Sequence, residues 1–326
     1  MQDKIQLALS STVSEINFTG AVSHHKGKVR DSFVLDDQRR AIVVTDRISA
    51  FDFVLGTVPF KGQVLNQIAA WWFKKLDNIV PHHLISVPDP NISLVKNVKP
   101  LPVEIIVRAY LTGTTTTSSW YAYQNLDRKI CGLEMPAGMK KNQAFATPII
   151  TPTTKPDVGH DEALSREEIF SRGLVEKSIY EQAESYALKM FTLGQKLAAE
   201  RNLILVDTKY EMGIDEEGNL IVIDEVHTPD SSRYWIADSY EDRFNQGQEP
   251  EGLDKEFVRK AIVNSGYNVD DSEQNPGDFL TDEIRVSASQ KYIELYERMT
   301  GEKFVFPDNV KAKGRIEQVL SEIVNS

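Results

Sequence analysis

In LILVDTKYEMGIDEEGNLIVIDE, residues 203–225, an apolar start leads into charges at every second position over 207–211, and a second apolar run follows over 220–223. The two parts are separated by a short run of acidic residues with Gly and Asn, and this pattern predicts a β-hairpin. Its first strand is expected over residues 203–212, its turn around 215–219 and its return strand over 220–225. A largely apolar hairpin that ends in two acids, Asp224 and Glu225, raises the question of what its charges do.

Three charged side chains lie on one face of the first strand, because successive side chains of a strand point to opposite faces. They are Asp207, Lys209 and Glu211. One interpretation is a sheet with a hydrated face, on which these groups contact only water. The other is a cleft that binds a divalent cation and a polyphosphate, since Mg²⁺ takes carboxylate oxygens and is shared with substrate phosphates. The strand pattern alone leaves both open.

The rest of the chain predicts strands first and helices later. Strands are expected over 28–35, 40–45, 92–98 and 103–109. Apolar stripes predict helices over 63–76 and 175–201, and a capping box at Ser165 starts another helix. Residues 1–20 are predicted as a short helix or arm, 45–62 and 136–160 as loops, and the chain from about 238 as helical. This order is typical of an α+β fold rather than of repeated βαβ units.

Composition and charge exclude several classes of protein. The 326 residues are 41% hydrophobic and 26% charged, as in folded globular proteins, and the net charge is −11. A general nucleic-acid or membrane-surface binder would need a basic face, so neither partner is expected. The one cysteine, Cys131, excludes an internal disulfide, and no signal peptide or transmembrane run is predicted. We therefore expect a cytoplasmic protein.

Two stretches could contact anions. In HKGKVRDSF, residues 25–33, Gly27 permits close backbone approach, and Lys28 and Arg30 share one strand face. The stretch is neither a Walker A loop nor a dinucleotide fingerprint, and a basic surface turn explains it equally. In VEIIVRAYLTGTTTTSSW, residues 103–120, Arg108 ends an apolar strand and precedes a run of hydroxyls. That combination suits a phosphate, or an arginine paired with a local carboxylate.

Three further stretches are polar. TDRISAFD, residues 45–52, is predicted as an irregular loop that contains Asp46, Arg47, Ser49 and Asp52 and that is either a polar surface loop or the lining of a site. TKPDVGHD, residues 154–161, contains Lys155, Asp157, His160 and Asp161, but its spacing is not that of a zinc site. IDEVHTPDSSR, residues 223–233, could recognise an anion near a metal through Asp230, Ser231, Ser232 and Arg233, although a type I turn gives the same composition.

Taken together and in this order, these stretches resemble the phosphoribosylaminoimidazole-succinocarboxamide synthase family, also called SAICAR synthetase. The resemblance covers residues 27–235. It implies a SAICAR synthase-like α+β fold related to ATP-grasp proteins. The expected division is a mostly antiparallel N-terminal domain over 1–110, an α+β domain over 111–237 and a C-terminal helical segment over 238–326. Members of this family are carbon–nitrogen ligases of purine biosynthesis that join L-aspartate to carboxyaminoimidazole ribonucleotide (CAIR) with cleavage of ATP.

The resemblance also implies roles for individual residues. The expected ATP-binding residues are Gly27, Lys28, Arg30, Lys209 and Glu211. The expected substrate-binding residues are Arg108, Thr114, Ser118, Asp161, Asp230 and Arg233. The expected catalytic residues are Lys209, Asp52 and Lys155, and Mg²⁺ is expected on Glu211 and Asp224. The run TTTTSS departs from the family pattern, so either Thr114 or Ser118 could take the phosphate-binding place.

These expectations assign the charged hairpin face to the binding of ATP and its metal ion. Converting a carboxylate to an acyl phosphate lets an amine displace phosphate, and such a reaction depends mainly on positioning and charge neutralisation. A small-molecule kinase that uses the same Mg-ATP cleft is the alternative, although kinase signature loops are absent. A nucleotide-sensing module without turnover is a second alternative. The protein is expected to be a monomer or a homodimer.

Overall fold

The computed structural model describes residues 1–36, 38–115, 117–126, 128–155, 161–269, 271–307 and 311–325. The helices in these ranges are α1 (Gln2–Leu7), α2 (Lys61–Leu76), α3 (Ser119–Asn125), α4 (Arg166–Ser171), α5 (Lys177–Ala199), α6 (Ala237–Asn245), α7 (Glu256–Asn264), α8 (Asp282–Thr300) and α9 (Ala312–Val324). The predicted capping box is present at the start of α4: the Ser165 hydroxyl accepts the Glu168 N–H, and the Glu168 carboxylate accepts the Ser165 N–H.

Antiparallel strands pair into two main sheets. The strands are β1 (Ser23–Lys26), β2 (Arg30–Val34), β3 (Arg39–Val44), β4 (Arg47–Ala50), β5 (Phe53–Thr57), β6 (Leu84–Asp89), β7 (Ile92–Lys96), β8 (Lys99–Pro100), β9 (Val103–Leu111), β10 (Lys129–Ile130), β11 (Leu133–Glu134), β12 (Gln143–Ile150), β13 (Thr153–Thr154), β14 (Leu203–Ile214), β15 (Leu220–Ile223) and β16 (Ser232–Ile236). The first sheet has the order β1-β2-β3-β7-β6. In the second, β14 pairs with β9 and β8 and also with β15 and β16, so β14 is its central strand.

Each sheet has one face covered by helices and the other turned toward the cleft between them. The stripe of apolar residues on α5, which includes Ala187, Met190 and Phe191, packs against β9 and β14. On the first sheet, Phe33 and Val43 pack against Ile316 and other apolar residues of α9. The uncovered faces therefore meet, and the polar side chains of β2, β3, β9 and β14 lie there.

The predicted hairpin is present, whereas two predicted loops contain strands. β14 and β15 form the hairpin, with Gly213 opposite Ile221. Residues 45–62 contain the hairpin β4–β5, and residues 136–160 contain β12 and β13. β4 is buried at all four positions and has only four residues, too few for its repeat to be distinguished from a loop. In β12, Pro148 lies in the irregular part of the ladder between Ala144 and Ile149, where a missing N–H is tolerated.

The C-terminal helices pack on both sheets. α8 contacts α1, α2 and α7, α9 covers the first sheet, and the start of α7 reaches the edge of the cleft. The three-part division of the chain stays a prediction. Among the described residues, no helix has both the length and the apolar content needed to cross a membrane.

Two glycines in helices should respond oppositely to alanine. A Cβ on Gly62, at the start of α2, would lie 2.3 Å from the Val44 carbonyl oxygen and 2.9 Å from Thr45 C, whereas a Cβ on Gly314 in α9 would meet nothing within 4 Å. We expect Gly62→Ala to lower the free energy of unfolding by about 1–3 kcal/mol. Gly314→Ala should raise it by about 0.5–1 kcal/mol, because alanine favours the helix and restricts the unfolded chain. Urea denaturation measures both, and equal effects would contradict the packing at Gly62.

Candidate active site

The pairing register of β9 and β14 brings their charged residues together. Arg108 lies directly opposite Asp207, and Ile106 lies opposite Lys209. Because residues two apart on a strand share a face, Glu104 and Glu211 fall on this same face. The charged face of the hairpin is therefore one half of a wider polar surface, built from both central strands.

Two cavities open on this surface. The large cavity, of about 480 Å³, lies between the first sheet and the β14–β15 hairpin. The small cavity, of about 200 Å³, lies between β9, β14, the loop that ends at Arg233 and the start of α7. In the described part of the chain, three residues line both cavities: Lys209, Asp230 and Lys255. The two cavities therefore adjoin.

The large cavity combines an apolar slot with a basic turn. Apolar side chains from both sheets line it, among them Val29, Ile42, Val98 and Ile223. The turn between β1 and β2 supplies Gly27, Lys28 and Arg30, three of the predicted ATP-binding residues. The Gly27 N–H donates to the Arg30 carbonyl at 2.8 Å, which closes the turn. A flat apolar group and an attached polyphosphate would both find suitable partners here.

Buried Arg47 holds this turn in place. Its guanidinium donates to the carbonyls of Gly27 and Lys28, at 3.1 and 3.2 Å, and forms an ion pair with Asp31 at 3.0 Å. Arg47 is only 5% exposed, so these bonds lie inside the protein. The backbone that could approach a phosphate is therefore fixed before any ligand binds.

Two lysines share the carboxylate of Glu211. Lys209 binds Glu104 at 2.7 Å and also binds Glu211, whose other oxygen binds Lys155. Burial alone would lower the pKa of Lys209, but Glu104 and Asp224 outweigh it and raise that pKa. Burial lowers the pKa of Lys155, although Asp224 acts in the opposite direction. The predicted residues Lys155, Lys209 and Glu211 thus form one connected group.

Arg30 crosses the large cavity from the first sheet to the end of the hairpin. Its guanidinium donates to Asp224 at 3.3 Å and also binds Glu225. Burial would raise the pKa of Asp224, but Arg30 and Lys209 lower it, so this carboxyl stays ionised. The ion pair joins the two sheets across the cleft at the position of the predicted metal ligand Asp224.

The small cavity contains two arginines on one carboxylate. Arg108 donates to Asp207 at 3.3 Å and to the Thr151 hydroxyl at 2.7 Å, and Arg233 binds the same Asp207 oxygen. Burial opposes the charge on Arg233, but Asp207 outweighs it and raises the pKa of Arg233. Two arginines with one acid between them leave a local positive charge, which suits a bound phosphate.

The structure places Ser118 rather than Thr114 at the small cavity. Ser118 is buried, caps α3 and lines the cavity, whereas Thr114 is exposed. Gly113 has a φ of 92°, and a Cβ there would lie 2.5 Å from that of Ser118 and 3.1 Å from an Arg233 nitrogen. The glycine therefore lets the loop fold Ser118 in beside Arg233.

Of the remaining predicted residues, some line the cavities and others do not. Asp161 lines the large cavity, where burial and Glu104 raise its pKa. Asp230 lines both cavities and binds buried Lys61 at 2.7 Å. Asp52 forms an exposed ion pair with Lys28 at 2.9 Å and, as the described residues form the cavities, lines neither. Asp157 and His160 lie outside the described residues.

Comparisons with known proteins show the family of this chain. The sequence model of a family described as SAICAR synthetase matches residues 23–276. The chain belongs to the SAICAR synthetase family. A relative from Legionella pneumophila (strain Lens), named phosphoribosylaminoimidazole-succinocarboxamide synthase, is 48% identical over 87% of this chain and 90% of its own length. One of the same name from Bacteroides fragilis (strain YCH46) is 46% identical over 94% of this chain and 96% of its own length.

A solved SAICAR synthase has the same fold. The structure from Saccharomyces cerevisiae, complexed with SAICAR, has a TM-score of 0.76 and 31% identity to this chain. The alignment covers 90% of this chain and 100% of the yeast chain. The predicted family and its α+β fold are confirmed. The individual roles of the site residues stay predictions.

Three charged residues of this SAICAR synthetase family site were missed by the sequence reasoning. Glu104 lies within the apolar strand β9, and Lys61 begins α2. Lys255 comes from the C-terminal part of the chain, to which no chemistry was assigned. For Glu104 the available signal was its position in an apolar run, because a charge there needs a partner.

Proposed function

We propose that this SAICAR synthetase family member joins the amine of L-aspartate to the carboxylate of CAIR, with cleavage of ATP to ADP and phosphate. ATP would occupy the large cavity, with its phosphates at Gly27, Lys28 and Arg30. CAIR would occupy the small cavity, with its phosphate at Arg108, Ser118 and Arg233. The observation that carries this proposal is the meeting of the two cavities at Lys209, Asp230 and Lys255.

The chemistry follows from the nature of the carboxylate. Its charge repels an amine, and an oxide ion is a poor leaving group, so transfer of the terminal phosphoryl group of ATP to the carboxylate is needed first. The resulting acyl phosphate accepts the aspartate amine and releases phosphate. The ammonium groups of Lys155 and Lys209 would offset the negative charge that gathers on the phosphoryl group. The protein contributes positioning and charge, and no covalent intermediate with a side chain is required.

The residues present fit a magnesium ion. Glu211 lies opposite Ile223 in the hairpin, so Asp224 is one residue further along, and both acids line the large cavity. Among the described residues no group of three or more His, Cys, Asp or Glu side chains converges on one point. The two carboxylates would thus share the ion with phosphate and water oxygens, as Mg²⁺ sites commonly do. When bound, the ion would neutralise part of the phosphate charge.

Coupling of ADP release to both other substrates tests this function. With Mg-ATP and CAIR, the purified protein should release ADP only when L-aspartate is present, and SAICAR should appear in step. An enzyme-coupled ADP assay and chromatography of the product measure the two rates. Full ADP release without aspartate and without amide product would favour the small-molecule kinase, which stops at phosphoryl transfer.

We also propose that the protein works in the cytoplasm, as a monomer or a homodimer. The proposed substrates are small anionic metabolites. Burial raises the pKa of the Cys131 thiol to about 11, which favours the protonated thiol at neutral pH. Light scattering on the purified protein determines the oligomeric state.

A further inference from the structure

One cationic side chain at the junction of the two cavities is not already engaged by an acid. Of the residues that line both cavities, Lys209 binds Glu104 and Glu211. The Asp230 carboxylate accepts from Lys61 at 2.7 Å and from the Tyr292 hydroxyl at 3.4 Å. Among the described residues, Lys255 forms no ion pair. Its ammonium is therefore available to a bound anion without breaking an existing contact.

The backbone holds Lys255 at this position. Its N–H donates to the Pro229 carbonyl at 3.1 Å. The preceding Asp254 is buried and accepts the N–H of Tyr234 at 2.9 Å and of Glu256 at 2.8 Å. The start of α7 is thus fixed to β16 and to the loop that carries Asp230. The Lys255 side chain is directed by the fold rather than by an ion pair of its own.

Asp230 is already paired with a different lysine, Lys61. The Lys61 side chain is fully buried at the start of α2, and its pair with Asp230 is direct. Tyr292 on α8 engages the second Asp230 oxygen. Asp230 therefore attracts Lys255 across the junction, while its direct contacts are to Lys61 and Tyr292.

We propose that Lys255 is a catalytic residue of the ligation, and that its ammonium contacts the phosphoryl group as this group passes from the nucleotide to the carboxylate. The inference rests on the proposed function and deepens it.

In the first step a carboxylate oxygen bonds to the terminal phosphorus, the bond from that phosphorus to ADP breaks, and ADP leaves with the electron pair. In the second step the amine nitrogen bonds to the acyl carbon, phosphate leaves with the electrons of the carbon–oxygen bond, and the nitrogen releases a proton to solvent. An ammonium already placed beside the phosphoryl oxygens stabilises the charge in both steps.

Lys255→Met tests this role by removing the ammonium while keeping most of the side-chain length. We expect kcat for SAICAR formation to fall about 100- to 1000-fold. The KM for aspartate should change less than about threefold, because the lost contact is with the phosphoryl group. Lys255→Arg should retain more activity than Lys255→Met. Lys260→Met is the matched control: this lysine lies on α7, pairs with exposed Glu249 and lines neither cavity as described, so its kcat should be unchanged.

Hydroxylamine in place of aspartate isolates the phosphoryl step, since it converts an acyl phosphate to a hydroxamate. Lys255→Met should lower hydroxamate formation by the same factor as SAICAR formation. Normal hydroxamate formation, a kcat within threefold of the wild type, or a loss confined to the KM for aspartate would each overturn the proposal. A wild-type protein that makes no SAICAR would instead refute the proposed function. If Lys255→Met does not fold, SAICAR and hydroxamate formation are measured in Lys255→Gln instead, with the same expected losses.

The pH dependence gives a second readout. The charged groups that face Lys255 are Asp230 and Glu225, which favour its charged form, and Arg259 and Lys61, which oppose it. Burial is the largest effect, and the pKa of Lys255 falls to about 8. A group that must be protonated acts below its pKa, so wild-type kcat/KM should decrease above about pH 8. In Lys255→Arg this decrease should move to higher pH, because arginine keeps its proton. An unchanged profile would contradict the proposal.

Discussion

A Glu211→Gln protein should fold normally and make SAICAR about a thousandfold more slowly than the wild type. Glu211 is the acid that Lys155 and Lys209 share, and it is one of the two proposed Mg²⁺ ligands. The amide keeps the shape of the side chain but loses the charge that orients both lysines and attracts the metal. Glu104 and Asp224 remain beside the lysines, so the fold should tolerate the change. SAICAR formation and the melting temperature of the purified variant measure the two effects.

Glu217→Gln is the matched control for this experiment. Glu217 lies in the exposed turn of the same hairpin and contacts neither cavity as the described residues form them. Its rate and melting temperature should match the wild type. A nearly normal rate for Glu211→Gln would mean that the charged face of β14 is simply a hydrated sheet face, and the cleft interpretation would fail.

Asp207→Ala should lower the free energy of unfolding by about 3–5 kcal/mol. Asp207 is 4% exposed and Arg108 is 5% exposed, and Arg233 binds the same carboxylate. Without Asp207, two guanidinium groups remain close together in a buried site without their acid. The cost of an unpaired buried charge exceeds the value of an exposed ion pair. Urea denaturation monitored by circular dichroism measures the change.

Asp36→Ala is the comparison for an exposed acid. Asp36 binds the Arg39 side chain at 2.7 Å and accepts the N–H groups of Gln38 and Arg39, but its side chain is 41% exposed. We expect this variant to lose about 0–1 kcal/mol, since water already solvates both charges. If Asp207→Ala cost no more than Asp36→Ala, the two arginines would have to reach water or another acid, and the compact arrangement of the small cavity would be incorrect.

Local pattern identified several elements and residues of this protein before the fold was considered. Alternation over residues 203–225 located the hairpin, and it placed Asp207, Lys209 and Glu211 on one face. This works because the two-residue repeat of a strand is a property of the backbone itself. The order of motifs over residues 27–235 identified the family, from which CAIR, aspartate and ATP followed as expected substrates. Short strands such as β4 were not predicted, because four residues are too few for a two-residue repeat to be recognised.

The composition of the site was decided by contacts between distant parts of the chain. Arg108 meets Asp207 only because β9 pairs with β14 in one register, and a shift of one residue would turn either side chain away. Ser118 lines the small cavity and Thr114 does not, because the turn at Gly113 folds Ser118 toward Arg233. Lys255 lies 46 residues after Lys209, yet packing of α7 brings both to one junction. The sequence determines which charges exist, and the non-local packing determines which of them share a cavity.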